Sequence, residues 1–479
     1  MNLGFKFKTK PLPKPKIGLL ALLGPAFIWA SVAQGSGELI WWPYFAAKYG
    51  LAFVGLLLPA ALIQFFVNRE ISRYTALTGE GIWQGFVRSS RWFSLLLFVL
   101  AFLSFLWFGG YASAGGTAIY DLTHFPPGVP ERVGSLFWAY LSIAFFTTAL
   151  LFSKVIYKFI EVFMKIVTAV TIVGLLIAVT QPEVREVMGQ FFAHLFNPVS
   201  SYIPSNWEAA DSPRLVTALA FAGMGGFLNL MYSYWMRDKN VGMGAYAGRL
   251  KGVKEKQEVI PDEGFGFVDS ASNKAIWKRW TQYINMDAGL AVLINCLTVS
   301  LTTLLAFALL NPKGIFPQGW KIAVVQAEFF ESVFGVVGRM LFLVIAAAFL
   351  ADTWLGLADG VARQFADFTR SFALDSKKLR KKLLSKSYQW WYYAWLGFFI
   401  LITSITMPLA QPAVLITITG VISLFAFVLY IPVLFYINHI RLPKVFPAFT
   451  KPSIVSSGFL ILTWLVYVGV AGWFVSTVF

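Results

Sequence analysis

Cysteine and histidine are almost missing from these 479 residues, and both absences exclude chemistry. A single cysteine, Cys296, rules out an intrachain disulfide and any thiolate metal cluster. The three histidines, His124, His194 and His439, fall between the apolar runs, where they are expected to be exposed loop residues. No imidazole is then on hand inside a span as a metal ligand or proton relay. Charge is scarce as well: 13% of residues are Asp, Glu, Lys or Arg and 58% are hydrophobic, which excludes an ordinary soluble domain and indicates a polytopic helical membrane protein. No Gly-x-x-x-x-Gly-Lys-Ser/Thr sequence is present, so ATP-driven chemistry within this chain is not expected. The chain is read as a non-enzyme with no cofactor and no obligate protein partner.

What is abundant is membrane-length apolar sequence. A hydrocarbon core of roughly 30 Å takes about 20 residues of helix, and eleven runs qualify. They extend from Ile17 to Phe45, Leu51 to Phe66, Trp92 to Ala114, Leu136 to Phe152, Ile156 to Val179, Val216 to Trp235, Ala288 to Leu310, Val336 to Leu357, Trp391 to Met407, Val414 to Ile437 and Val455 to Phe479. With the N-terminus inside, only Lys48, Arg132, Arg185, Arg214, Lys313 and Lys321 lie on the outer side, while Lys165 and Arg339 fall within spans. Every other Lys and Arg is cytoplasmic, the arrangement the positive-inside rule favours. The expected location is the cell membrane, multi-pass, with a cytoplasmic N-terminus. The net charge of +16 then reflects topology and attraction to an anionic leaflet rather than nucleic acid, the run Lys377-Lys378-Leu379-Arg380-Lys381-Lys382 included.

Five segments follow. Residues 1–16 form a basic cytoplasmic tail, 17–180 a first five-helix repeat, 181–212 an external loop, 213–437 a second five-helix repeat with a cytoplasmic loop at 237–285, and 438–479 a loop and the eleventh helix. Within the cytoplasmic loop, Trp277 to Trp280 reads as an amphipathic surface segment. Trp41-Trp42 and Trp390-Trp391 read as interfacial belts.

Two flaws in the spans carry the functional expectation. Gly35-Ser36-Gly37-Glu38 interrupts the first run, and Gly223-Met224-Gly225-Gly226 followed by Asn229 interrupts the sixth, five spans later. Glycine costs about 1 kcal/mol relative to alanine inside a helix, and a carboxylate in hydrocarbon costs several more. Paired interruptions in corresponding spans of two halves are what a transport site built from broken helices requires, because unwound backbone offers carbonyls and amides to a cargo. Gln34, Gly35, Ser36, Gly37, Glu38, Gly223, Gly226 and Asn229 are therefore the candidate substrate-binding residues, with Glu38, Ser36 and Asn229 as oxygen ligands for a metal ion. Glu38 is open to a second reading as a cap on the half-helix that follows, and the sixth-span glycines to one as a close helix crossing.

Other charged residues are candidates for a gate or proton path: Glu70, Asp287, Asn295, Asp352 and Asp359. Each has a structural alternative. Glu70 lies beside Arg69 and Arg73, Asp287 opens the seventh run as a cap would, and Asp359 with Arg363 would make a salt-bridged helix end. Glu161 and Lys165 stand four residues apart, the spacing at which opposite charges meet on one helix face.

The first run resembles that of the Nramp family of divalent metal transporters. Gly24-Pro25-Ala26-Phe27 through Ala46-Ala47-Lys48-Tyr49-Gly50 is similar to the family's Gly-Pro opening and Lys-Tyr-Gly close, which places Gly35-Ser36-Gly37-Glu38 on its Asp-Pro-Gly-Asn break. Asn229-Leu230 is similar to the end of its sixth-span Met-Pro-His-Asn-Leu. Weaker matches fall at Ile160-Glu161, at Asp287 with Asn295, and around Ala347 to Gly360. The resemblance implies an all-α LeuT-type fold: two inverted five-helix repeats with discontinuous first and sixth helices, plus an added eleventh. It also implies secondary transport of a metal ion by alternating access. Yet the family's metal-binding Asp and Met are here Gly35 and Gly226, its sixth-span His is Leu228, and the third span lacks the acids of its proton route. An oxygen-only ligand set favours Mg²⁺ or Mn²⁺. The alternative is a small organic solute such as an amino acid, its carboxylate held by amides of the Gly-Ser-Gly break.

Overall fold

The computed structural model describes residues 4–15, 18, 23–35, 39–317, 319–322, 324–374 and 377–478. Among them, nine stretches are helical, long and apolar enough to cross a membrane: Val54–Thr78, Arg91–Thr123, Glu131–Phe152, Ile156–Ala178, Ala271–Lys313, Gly335–Leu374, Tyr388–Leu409, Pro412–Lys444 and Ile454–Val478. They correspond to the second to fifth and seventh to eleventh apolar runs. The first and sixth runs are discontinuous. The first is helical over Pro25–Ala33 and again over Trp41–Tyr49, and the sixth over Ser212–Ala220, Gly226–Asn229 and Tyr232–Asp238. Proline at the first or second position opens the helices at Pro25, Pro182, Pro213 and Pro412, where its missing N–H costs nothing.

Burial sorts the helices into inner and outer. In the most apolar window of the seventh and eighth spans 72% and 73% of residues are buried, against 28% in the fourth and eleventh, so the latter two present their apolar faces to lipid. The broken spans sit at the centre. Every residue of Gly226–Asn229 and Tyr232–Asp238 is buried, as are Trp41, Trp42, Tyr44 and Phe45. Trp41 and Trp42 are therefore core residues, not an interfacial belt, because a helix at the middle of a bundle has no face left for the interface. Trp390, 46% exposed, does occupy a peripheral position.

Several boundaries differ from the sequence reading. The external loop contains a helix, Pro182–Leu195, which carries His194. The seventh helix starts at Ala271, capped by the Ser270 hydroxyl accepting from the Asn273 amide. It is not confined to the apolar part, because a polar helical extension can continue past the membrane. Trp277 and Trp280 lie in that extension and are buried, the Trp280 indole donating to the Pro13 carbonyl at 2.8 Å. The basic tail is pinned a second time, as Lys8–Thr9 pairs in parallel with Phe265–Gly266.

Candidate functional site

The two interruptions differ in kind. After Ala33 the first span widens: Gln34 and Gly35 are π-helical, and the Leu39 amide donates to the Gln34 carbonyl at 3.2 Å, five residues back. Such single-turn widenings frequently mark functional sites. Ser36, Gly37 and Glu38 lie outside the described residues. In the sixth span residues 221–225 leave the helix altogether. Gly225 takes φ +80° and Gly226 φ +45°, left-handed conformations open to glycine at little cost.

Unwinding strands carbonyls in a region without water, and each must find a donor. Side chains from four other spans supply them. The Gln64 Nε2 donates to the Ala220 carbonyl at 3.1 Å, Asn295 Nδ2 to Ala222 at 2.7 Å, the Tyr430 hydroxyl to Gly226 at 3.1 Å and Gln364 Nε2 to Phe227 at 3.2 Å. Gln64 also accepts, through Oε1, from the Gly225 amide at 3.4 Å and from Asn229 Nδ2 at 3.1 Å. The two broken spans meet directly: the Trp29 indole donates to Asn229 Oδ1 at 3.0 Å. Gly223 is held in the same place, since a Cβ there would lie 2.6 Å from both Gln64 Oε1 and the Trp29 ring. One candidate side chain has nothing to bond: both polar atoms of Gln34, 2% exposed, have no partner among the described residues.

The C-terminal end of the first span and the N-terminal end of the sixth are clamped together. Asp211, just before the sixth span, accepts from Tyr44 at 2.9 Å, Tyr49 at 2.6 Å and Lys48 at 2.9 Å, all on the first span, and from Arg214 at 2.5 Å. Burial raises the affinity of the Asp211 carboxyl for a proton, but the bonds from Tyr49, Lys48 and Tyr44 and the Arg214 charge outweigh it and hold its pKa below the ordinary value. At the other end, Arg363 bonds Asp238 at 2.6 Å and Asp359 at 2.7 Å, all three fully shielded from solvent.

The remaining candidates scatter. Asp287 is neither a cap on the seventh helix nor beside the breaks. It lies within the helix that starts at Ala271, accepts from the Tyr232 and Tyr283 hydroxyls, and caps the first span through the backbone amides of Gly24 and Ala26. Asp359 is not at a helix end, because the eighth helix runs on to Leu374. Asp352 lies on that helix, and its side chain is outside the described residues. Glu70 is buried against Arg69 at 3.6 Å and Arg73 at 3.7 Å. It also lies 3.3 Å from His439, so this histidine is a partly buried neighbour of Glu70 and not an exposed loop residue. Glu161 pairs with Lys165 at 2.6 Å and with Lys239 at 2.7 Å. Trp29, Gln64, Gln364 and Tyr430 were missed as participants. A glutamine inside the apolar stretch Leu-Ile-Gln-Phe-Phe was the available signal for Gln64.

No protein-family model and no curated protein matches the chain. Among solved structures, the Eremococcus coleocola manganese transporter in complex with an aromatic bis-isothiourea substituted compound is similar over 100% of this chain and 99% of its own, at 13% identity and TM-score 0.55. MhsT in complex with L-phenylalanine is similar over 95% of this chain and 98% of its own, at 14% identity and TM-score 0.58. The shared fold is of the LeuT type. At such identities the likeness concerns the fold alone, and one neighbour is named for manganese while the other is in complex with L-phenylalanine. Among the described residues, no group of three or more His, Cys, Asp or Glu is placed to hold a metal.

Proposed function

We propose that this chain is a secondary active transporter that binds a small cargo between the interrupted first and sixth spans and moves it by alternating access. The observation that carries this reading is the meeting of the two interrupted spans at Trp29 and Asn229, residues 200 apart in sequence. Plain helix packing does not require both of two spans that meet at the centre to be interrupted, whereas a binding site made of backbone groups does.

For the cargo we favour a divalent cation, Mg²⁺ or Mn²⁺, bound by the Glu38 carboxylate with Ser36 and backbone carbonyls. An ionisable residue inside a span is expensive and is kept for function by default. Asn229, the third candidate ligand, has its oxygen engaged by Trp29, so it joins such a shell only by exchanging that bond. Gln34 favours the second reading, a small amino acid: a carboxamide without a partner among the described residues offers both donor and acceptor to a zwitterion, and Glu38 would pair with its amine.

Thermal titration of the purified protein with Mg²⁺, Mn²⁺ and a panel of amino acids separates the two, because a true ligand raises Tm by mass action. In proteoliposomes, Glu38→Gln is expected to abolish uptake of whichever cargo stabilises the protein while folding normally. Wild-type uptake by that variant removes Glu38 from the site.

A further inference from the structure

Away from the breaks, on the face that carries the basic tail, a cavity of about 680 Å³ opens between the polar extension of the seventh helix, the inner end of the second span and residues 449–453 ahead of the eleventh. Its charged lining is of one sign: Arg69, Arg73, Lys274, Lys278 and Lys451, with no Asp or Glu. Lys274 and Lys278 are four apart, one above the other on a single helix face. Among the described residues neither they nor Lys451 makes an ion pair. Arg69 and Arg73 share Glu70, which leaves the three exposed lysines as a cluster of like charge that attracts an anion.

The arginines form a prepared floor. Arg69 donates to Asn285 Oδ1 at 2.8 Å and to the Ser456 hydroxyl, while Arg73 donates to the carbonyls of Asn438 and Thr450. Both lean on Glu70, which with His439 is buried behind them. The acid most able to neutralise the pocket is thereby turned inward.

Farther along the same helix the chemistry changes. Met286, Leu293 and Leu297 are 37%, 65% and 40% exposed and continue the face of Lys278 and Gln282 toward the bilayer. Across the gap, Ile454 and Val455 at the start of the eleventh span are exposed too. A cationic pocket above an apolar, lipid-facing stripe has the shape of a phospholipid.

We propose that this cavity binds the phosphate-bearing headgroup of an anionic phospholipid, with Lys274, Lys278 and Lys451 contacting the headgroup and the acyl chains lying along the seventh and eleventh spans. Basic pockets between spans on the cytoplasmic side are suited to such headgroups. The site is independent of the cargo and of the breaks.

The test uses the full chain, delipidated in detergent and then placed in nanodiscs of phosphatidylcholine alone or with about 20% of the anionic lipid phosphatidylglycerol. Phosphatidylglycerol is expected to raise Tm and to be retained in native mass spectra. The triple variant Lys274→Gln, Lys278→Gln, Lys451→Gln is expected to fold and to lose lipid affinity by about fivefold for each lysine removed. The control triple Lys158→Gln, Lys254→Gln, Lys256→Gln, exposed lysines outside the cavity, is expected to keep it. Equal retention by both triples overturns the proposal. So does an equal Tm rise with inorganic phosphate in pure phosphatidylcholine, which makes the pocket a soluble-anion site.

Discussion

A single carboxamide holds much of the sixth-span interruption in place. Gln64 bonds the Ala220 carbonyl, the Gly225 amide and the Asn229 side chain, so its removal orphans three groups where water does not reach. Each buried group left unpaired costs about 1–3 kcal/mol. Gln64→Ala is therefore expected to lower Tm markedly even though no apolar contact of note is lost, and Gln64→Glu to recover less than half, since it restores the acceptor and not the donor. Asp211 makes a pH argument at the same scale. Its pKa is lower folded than unfolded, so its stabilisation is fully present above the unfolded value of about 3.9 and is lost as pH falls through the folded one. Acid unfolding of the wild type should steepen below about pH 4, and Asp211→Asn, already without that contribution, should show a flatter acid limb in thermal melts.

Elements are shaped by where a side chain can fit. Gly226 has φ +45°, and a Cβ on it would lie 2.4 Å from the Ser423 Cβ of the tenth span. Gly226→Ala is expected to destabilise by at least about 2 kcal/mol, strain and overlap acting together, and Ser423→Gly to rescue little of it, because the backbone Cα and carbonyl oxygen of residue 423 would still lie 2.6 and 2.7 Å away. Gly458, on the eleventh helix with nothing within 4 Å of its Cβ, provides the contrast. Gly458→Ala should leave stability unchanged or raise it by up to about 1 kcal/mol. Equal losses in the two variants, measured by denaturation in mild detergent, count against the close approach of the sixth and tenth spans.

At the scale of the molecule, the sixth span is fastened at both ends and interrupted between them. Asp211 ties its N-terminal end to the first span, and Asp238 ties its C-terminal end, the inner one in the orientation expected from the sequence, to the eighth through Arg363. Removing Arg363 leaves Asp238 and Asp359 buried without their counter-charge, a change that typically costs about 3–5 kcal/mol. Arg363→Met should accordingly be poorly folded, while the neutral triple Asp238→Asn, Asp359→Asn, Arg363→Met should regain most of the loss. A triple variant that folds yet shows altered uptake places the inner fastening in the transport cycle rather than in stability alone.

The sequence by itself determined the number of apolar runs and which two of them are interrupted, because apolar length and helix-breaking glycine are local properties readable at each position. It also paired Glu161 with Lys165 and Glu70 with Arg69 and Arg73, since those partners are one turn away or less. It misjudged His439, Asp287, Trp41 and Trp42, whose surroundings come from distant segments. Only the tertiary structure decided that Trp29 meets Asn229 and that side chains from the second, seventh, eighth and tenth spans satisfy the carbonyls freed by the sixth. The physical reason is that an unwound carbonyl in a dry interior accepts any donor packing brings to it, and spacing along the chain does not encode which one arrives.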